Sequence, residues 1–124
     1  MERRFVVQEH TVTPGDVHFD LMIEDGDVLV TFQLEQPPWG PQGRAPTRGR
    51  RSFDHRARYL DYEGPISGDR GAVRIWDRGQ VDDVEGGPRD ARYEARVRGD
   101  RVAGLLVVAG SGDHDVEVAL RADA

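Results

Sequence analysis

Apolar and polar residues alternate along much of the chain, with the two-residue period of strands that bury one face. The alternation is clearest in Asp16–Glu24, where Val17, Phe19, Leu21 and Ile23 share one face and His18, Asp20, Met22 and Glu24 the other. Asp25-Gly26, a strong two-residue turn signal, predicts a hairpin between this strand and Asp27–Glu35. Further strands are predicted over Arg3–Glu9, Gly71–Gly79, Asp90–Gly99, Asp100–Gly110 and His114–Ala122.

About seven short strands without a convincing amphipathic helix predict an all-β, mainly antiparallel fold, a small closed or partly open β-barrel. Gln36–Arg51 is rich in proline and arginine and is expected to be a long exposed loop, because proline is excluded from central strands. The predicted strand Gly71–Gly79 ends in an Asp-Arg-Gly turn, and Ala57–Gly64 is expected to be a short turn or strand. With no repeat or linker evident, residues 1–124 are expected to form a single domain.

Composition narrows the possible chemistry. The chain has no cysteine, so a metal ion would have to be held by His, Asp or Glu. No stretch approaches the roughly 20 apolar residues of a membrane span, which predicts a cytoplasmic protein without a membrane partner. The net charge of -6 argues against a general coat for nucleic acid.

The segment Arg44–Arg58 reverses this charge locally. It carries a single acid, Asp54, and the arginines Arg44, Arg48, Arg50, Arg51, Arg56 and Arg58. A small basic patch on an acidic chain suits one localised anion better than a long polyanion. The alternative interpretation is a solvated arginine-rich loop.

Two histidines and an aspartate suggest a metal site. His18 and Asp20 point to the same side of one strand, with backbones roughly 6–7 Å apart, and can converge on one ion. His10 precedes the Pro14-Gly15 turn and can fold back as a third ligand. Such a set suits Mn²⁺, Zn²⁺ or Fe²⁺ and leaves coordination positions open for water and substrate. The alternative is ordinary polar residues on a solvent face.

Four ordered motifs resemble a known family. They are FVVQEH (Phe5–His10), HFDLMIEDGDVL (His18–Leu29), DHRARYLDYEGPI (Asp54–Ile66) and WDRG (Trp76–Gly79). Together they resemble the 3'-phosphoesterase domain of bacterial DNA ligase D, here in a free-standing version. The resemblance implies a compact β-barrel and a manganese-dependent enzyme that removes a 3'-phosphate or 3'-ribonucleotide from DNA breaks during end joining.

The resemblance also assigns roles to individual residues. It places the metal ligands at His10, His18 and Asp20, with Mn²⁺ as the expected ion and Zn²⁺ or another divalent transition metal as alternatives. It places the phosphate-contacting, catalytic residues at His55 and Tyr59. A family arginine before the Asp-His pair has three candidates that would bind substrate: Arg48, Arg50 and Arg51. The expected partners are nucleic-acid 3' ends and a DNA ligase or end-binding protein, with the chain itself a monomer.

One position departs from the family pattern. An arginine that points into the family's groove is Met22 here, and methionine cannot replace a bidentate contact to phosphate. Losing such a charge clamp costs on the order of 3 kcal/mol of transition-state stabilisation. Three functions are therefore carried forward. The first is a metal-dependent 3'-phosphoesterase, and the second is a non-catalytic module that binds metal and phosphate on DNA ends or a repair partner. The third is an unrelated small-molecule phosphatase or metal-binding barrel.

Overall fold

The computed structural model describes residues 1–38, 46–101 and 103–122. Its strands are β1 (Glu2–Thr13), β2 (Asp16–Asp25), β3 (Val28–Leu34), β4 (Thr47–Arg51), β5 (His55–Arg56), β6 (Gly64–Pro65), β7 (Ala72–Glu85), β8 (Arg92–Gly99), β9 (Ala103–Gly112) and β10 (Asp115–Ala122). Eight of them close an antiparallel barrel in the order β1-β2-β3-β4-β10-β9-β8-β7, with β7 paired back onto β1. The prediction of an all-β barrel is thus confirmed.

The two shortest strands lie outside the ring of the barrel. β5 pairs with the start of β3, and β6 pairs with the start of β7. A single 3₁₀ helix, Ala57–Leu60, is the helical element among the described residues, where a short turn or strand was expected. These three short elements belong to the segment 52–71, which leads from β4 to β7.

The barrel interior is filled by the inward-facing residues of its strands. Phe5, Leu21, Phe32, Tyr93 and Leu106 are among the largest side chains of this core, and each is at most 1 % exposed. The predicted hairpin between β2 and β3 forms, with Asp25 opposite Val28. Gly26 in its turn has φ 65°, a conformation that glycine adopts without strain.

The strands β1, β2 and β3 are also covered on their outer faces. Val6, Met22 and Leu29 point out of the barrel and pack under Leu60 of the 3₁₀ helix, in a second apolar cluster. Burial on both faces explains why β1 is buried at four successive positions rather than at every second one. The segment 52–71 therefore lies against the outer wall of the barrel, and a groove opens beside it.

The expectation that all of Gln36–Arg51 is loop is wrong at its end, because β4 is a barrel strand between β3 and β10. β4 shows no apolar alternation because its inward positions carry Thr47, Gly49 and Arg51. Gly49 is needed where β3 approaches closely: a Cβ there would lie 2.2 Å from the Gln33 carbonyl oxygen.

The predicted turn at Asp77-Arg78-Gly79 is also wrong, because β7 continues through it to Glu85. The register against β1 slips by one residue at Trp76, which marks a β-bulge. Gly79 serves close strand packing, since a Cβ there would lie 2.0 Å from the Arg98 carbonyl oxygen.

Candidate metal centre and adjoining groove

The structure brings His10, His18 and Asp20 together on the outer face of the barrel. His10 and His18 are directly opposed in the β1–β2 register, with ring centroids 4.6 Å apart, and Asp20 follows His18 on the same face of β2. His10 Nδ1 lies 3.8 Å and His18 Nε2 3.3 Å from Asp20 Oδ2. The potential ligand atoms of these three residues lie within 4.8 Å of one another, close enough to share one ion. Among the described residues, this is the group of His, Asp and Glu side chains that meets the condition.

A backbone contact fixes the tautomer of His10. Its Nε2 lies 2.6 Å from the carbonyl oxygen of Arg70, which can only accept a hydrogen bond. Nε2 therefore carries the proton, and Nδ1 is the nitrogen directed at Asp20. A ligating histidine typically donates its other N–H to a carbonyl or carboxylate in this way.

The electrostatics of the cluster favour a cation. The Asp20 carboxylate raises the pKa of His10 above its ordinary value. Burial on its own would raise the pKa of Asp20, but the imidazoles of His10 and His18 lower it by more, so that this pKa lies below its usual range. Asp20 is 6 % exposed, so it presents an ionised carboxylate in a site that water screens poorly.

The donor set fits a divalent transition metal. Bonds of about 2.0–2.2 Å place two ligands of one ion about 3–4 Å apart. The separations of 3.3 and 3.8 Å from Asp20 Oδ2 lie in that range before any adjustment. Two imidazole nitrogens and one carboxylate suit Mn²⁺, Zn²⁺ or Fe²⁺, and the three protein ligands leave positions for water and substrate.

His55 and Tyr59 line the same groove as the three candidate ligands, across from them on the segment 52–71. His55 Nδ1 lies 3.1 Å from the carbonyl oxygen of Phe53 and 2.8 Å from Thr31 Oγ1. The Thr31 hydroxyl itself donates to the Leu29 carbonyl. Nδ1 of His55 is therefore the protonated nitrogen, and Nε2 is left for a ligand in the groove.

A comparison of the sequence with protein families matches the DNA Ligase D 3'-phosphoesterase domain over residues 8–109. The chain belongs to this family. The match includes the three candidate ligands as well as His55 and Tyr59, and it indicates a function related to 3'-phosphoesterase chemistry. A comparison with curated proteins finds no match.

The arginines of this groove are not the three that were predicted to bind substrate, although two of them belong to the basic patch Arg44–Arg58. Arg56, Arg58 and Arg70 line the groove. The Arg58 guanidinium lies over the rings of Tyr59 and Tyr62, at 5.4 and 5.2 Å from their centroids. Arg70 follows the basic patch in sequence, and its place beside His10 depends on the pairing of β6 with β7.

The structure separates the three arginines predicted to bind substrate. Arg48 and Arg50 are exposed and line a second groove that adjoins the first at His18. Arg51 lies away from both grooves, with its guanidinium over the Phe32 ring and hydrogen-bonded to the carbonyls of Pro88 and Asp90. Arg51 therefore anchors the loop 86–91. Arg44 of the basic patch lies outside the described residues.

Met22 does not line the groove. It is fully buried with Val6, Leu29 and Leu60 in the cluster beneath the 3₁₀ helix. The position of the family's arginine is thus occupied here by a methionine that packs in this apolar cluster. The positive charge of the groove comes instead from the arginines of the segment 52–71.

Gln8 is a positioning residue that sequence reasoning missed. Its side chain is 2 % exposed, and its Nε2 donates to the carbonyls of Tyr59 and Tyr62 at 2.9 and 3.0 Å. It ties the 3₁₀ helix to β1 and so fixes the distance between the two walls of the groove. A polar residue inside the apolar run FVVQ is the signal that could have identified it.

The described residues contain no helix that is both long and apolar enough to cross a membrane.

Proposed function

We propose that the chain is a metal-dependent phosphoesterase that removes a 3'-phosphate or a 3'-ribonucleotide from DNA ends during break repair. The observation that carries the proposal is the convergence of His10, His18 and Asp20 opposite His55 in one groove. The family match over residues 8–109 supports the same chemistry. The proposed ion is Mn²⁺, with Zn²⁺ or another divalent transition metal as alternatives, and the proposed partners are DNA 3' ends with a ligase or end-binding protein.

In this proposal, His10, His18 and Asp20 hold the ion, which when bound supplies positive charge to phosphoryl oxygens and activates water. The Arg70 carbonyl keeps His10 in the tautomer that presents Nδ1 to the site. The ionised Asp20 carboxylate is available because both imidazoles stabilise its charged form.

His55 handles the proton on the leaving side. Its Nδ1–H is bound to the Phe53 carbonyl, so Nε2 is the atom that hydrogen-bonds the phosphate or delivers a proton to the departing sugar oxygen. Tyr59 orients the phosphate from the 3₁₀ helix. Arg56, Arg58 and Arg70 add charge stabilisation from the groove wall.

A non-catalytic module that binds metal and DNA ends is the second candidate. The buried Met22 favours it, because no guanidinium reaches the groove from that position. This candidate predicts metal binding and end binding without turnover.

Release of phosphate from a 3'-phosphate-ended primer-template, followed during a Mn²⁺ titration, separates the two. The enzyme predicts metal-dependent release that His18→Ala abolishes and that His55→Ala lowers by about two orders of magnitude or more. His114→Ala is the matched control, because His114 is exposed on the turn before β10 and outside the groove.

Two results would contradict the enzyme. One is saturating Mn²⁺ binding without release of phosphate, which leaves the binding module. The other is phosphate release that His18→Ala and His114→Ala change to the same extent, which would show that the reaction does not take place in this groove.

A further inference from the structure

Phe53 is exposed in an unusual position. Its side chain is 73 % exposed. Among the large apolar residues that are exposed in the described chain, Phe53 is the one with an aromatic ring. Isolated exposed apolar residues are common and need no explanation by themselves. Phe53 differs because its ring lies in the groove that contains His55 and the candidate metal ligands.

The ring of Phe53 is held in a defined orientation. It is stacked on the imidazole of His55, with centroids 4.8 Å apart and planes 9° from parallel. The Phe53 carbonyl accepts a hydrogen bond from His55 Nδ1, so backbone and side chain of Phe53 both contact the same imidazole. Tyr59 packs edge-on against His55, at 5.7 Å and 83°. One face of the Phe53 ring is therefore covered, and the exposure lies on the rest of the ring.

A flat, open aromatic face beside a phosphate site matches the chemistry of a nucleotide. The base and the 3'-phosphate of a terminal nucleotide are attached to one sugar, so the groups that bind them must be neighbours. Phe53 and His55 are such neighbours. Aromatic side chains bind bases of single strands by stacking, with little preference between bases because every base has a π face.

On the basis of the function proposed above, we infer that Phe53 forms the base-binding subsite of the groove and stacks on the nucleobase of the 3'-terminal nucleotide. The groove, of about 640 Å³, is within the size range of sites for small ligands. The subsite selects ends that carry a base over abasic ends, without distinguishing strongly among the four bases.

The test uses a primer-template that ends in 2-aminopurine nucleoside 3'-phosphate, bound in metal-free buffer where no turnover occurs. Stacking on Phe53 quenches the fluorescence of the terminal 2-aminopurine. We expect quenching by the wild-type chain and by Phe53→Tyr. With Phe53→Leu, which keeps an apolar side chain without a π face, we expect loss of quenching and affinity weaker by about tenfold.

An abasic 3'-terminal residue separates stacking from positioning of His55. The wild-type chain should bind the abasic end about as weakly as Phe53→Leu binds the base-bearing end, and Phe53→Leu should bind both ends equally. A loss in Phe53→Leu that is equal for base-bearing and abasic ends would overturn the subsite, as would the absence of binding to either end.

Phosphate release with Mn²⁺ then tells the two proposals apart. Quenching that depends on Phe53 without release of phosphate retains the subsite and removes the activity. Release of phosphate that is indifferent to both the base and Phe53→Leu retains the activity and removes the subsite.

Discussion

At the scale of single residues, the spacing of the groove depends on a few buried contacts. Gln8, whose side chain is 2 % exposed, donates from Nε2 to the carbonyls of Tyr59 and Tyr62. Leaving a buried polar group without its partner costs about 1–3 kcal/mol, against a net value of about 0.5–1.5 kcal/mol for an ordinary hydrogen bond. A strand residue that points outward is thus a main determinant of where Tyr59 lies.

Gln8→Met is predicted to lower the free energy of unfolding by about 2 kcal/mol, because methionine keeps the shape but cannot donate to the two carbonyls. Gln8→Glu should cost more, since a carboxylate would face two carbonyl oxygens in a buried site. Urea unfolding measures both variants. Gln8→Met with wild-type stability would show that the 3₁₀ helix is held by other contacts.

A second prediction at the scale of single residues concerns Met22. Met22→Arg would place a guanidinium in the cluster of Val6, Leu29 and Leu60 and should lower the free energy of unfolding by about 3 kcal/mol or more. Met22→Leu, a swap of similar volume, should cost less than about 1.5 kcal/mol. Met22→Arg with the stability of Met22→Leu and a gain in phosphate release would show instead that the guanidinium reaches the groove.

At the scale of elements, the loop 86–91 braces the segment that carries His55. Arg89 makes a bidentate contact to Asp54 at 2.8 and 3.3 Å, and it also contacts Asp25 on β2 at 2.7 Å. Hydrogen bonds to Asp54 and Asp25 raise the pKa of Arg89 further above its ordinary value. Arg51 holds the same loop through the carbonyls of Pro88 and Asp90.

Arg89→Ala is predicted to lower phosphate release several-fold. Without the guanidinium, Asp54 is no longer held in place, and His55 is the next residue in the chain. Its cost in unfolding free energy should stay below about 1 kcal/mol, since the Arg89 side chain is 52 % exposed and its ion pairs are screened. Arg92→Ala is the matched control, because Arg92 pairs with Glu94 away from the groove. Equal activity of the two variants would exclude the bracing role.

The elements that could be predicted from the sequence are those with local signals. β2 and β3 follow from alternation and the Asp25-Gly26 turn, and the approach of His18 to Asp20 follows from strand periodicity. β4 and the continuation of β7 could not be found in this way, because Gly49 and Gly79 are placed there by backbone approach from β3 and β8. Arg70 lines the groove and Arg89 holds Asp54 beside it, and both positions depend on long-range contacts that leave no local pattern.

At the scale of the whole molecule, an ion-pair network runs from the barrel interior to the groove. The Tyr93 hydroxyl and the Arg3 guanidinium both donate to Asp83, and Arg3 also contacts Asp25. Asp25 in turn accepts from Arg89, which reaches the residue beside His55. This network links four strands, β1, β2, β7 and β8, to the segment 52–71. The alternation of residues within one strand does not predict it.

The network gives barrel stability a specific pH dependence. Burial would raise the pKa of Asp83, but hydrogen bonds from Arg3 and Tyr93 lower it by more, so the folded pKa lies below the ordinary value of 3.8. The ionised form therefore stabilises the fold above that value, and this stabilisation is lost as pH falls through the folded pKa.

Asp83→Asn is predicted to lower the free energy of unfolding by about 2–3 kcal/mol at pH 7. This is less than the roughly 3–5 kcal/mol lost when one partner of a fully buried pair is removed, because Arg3 and Asp83 keep some exposure. The difference from the wild-type chain should shrink as pH falls below 3.8, where wild-type Asp83 becomes protonated as well. Urea unfolding over this pH range measures it. A difference that stays constant down to pH 2 would contradict the role of the Asp83 charge.

The proposed activity requires that His10, His18 and Asp20 together hold one ion. A direct Mn²⁺ binding titration followed by electron paramagnetic resonance tests this. We predict one bound Mn²⁺ per chain in the wild-type protein and in His114→Ala. Affinity should fall by at least about tenfold in His18→Ala and in Asp20→Asn. Mn²⁺ binding that is unchanged by both substitutions would contradict a metal site formed by these three residues.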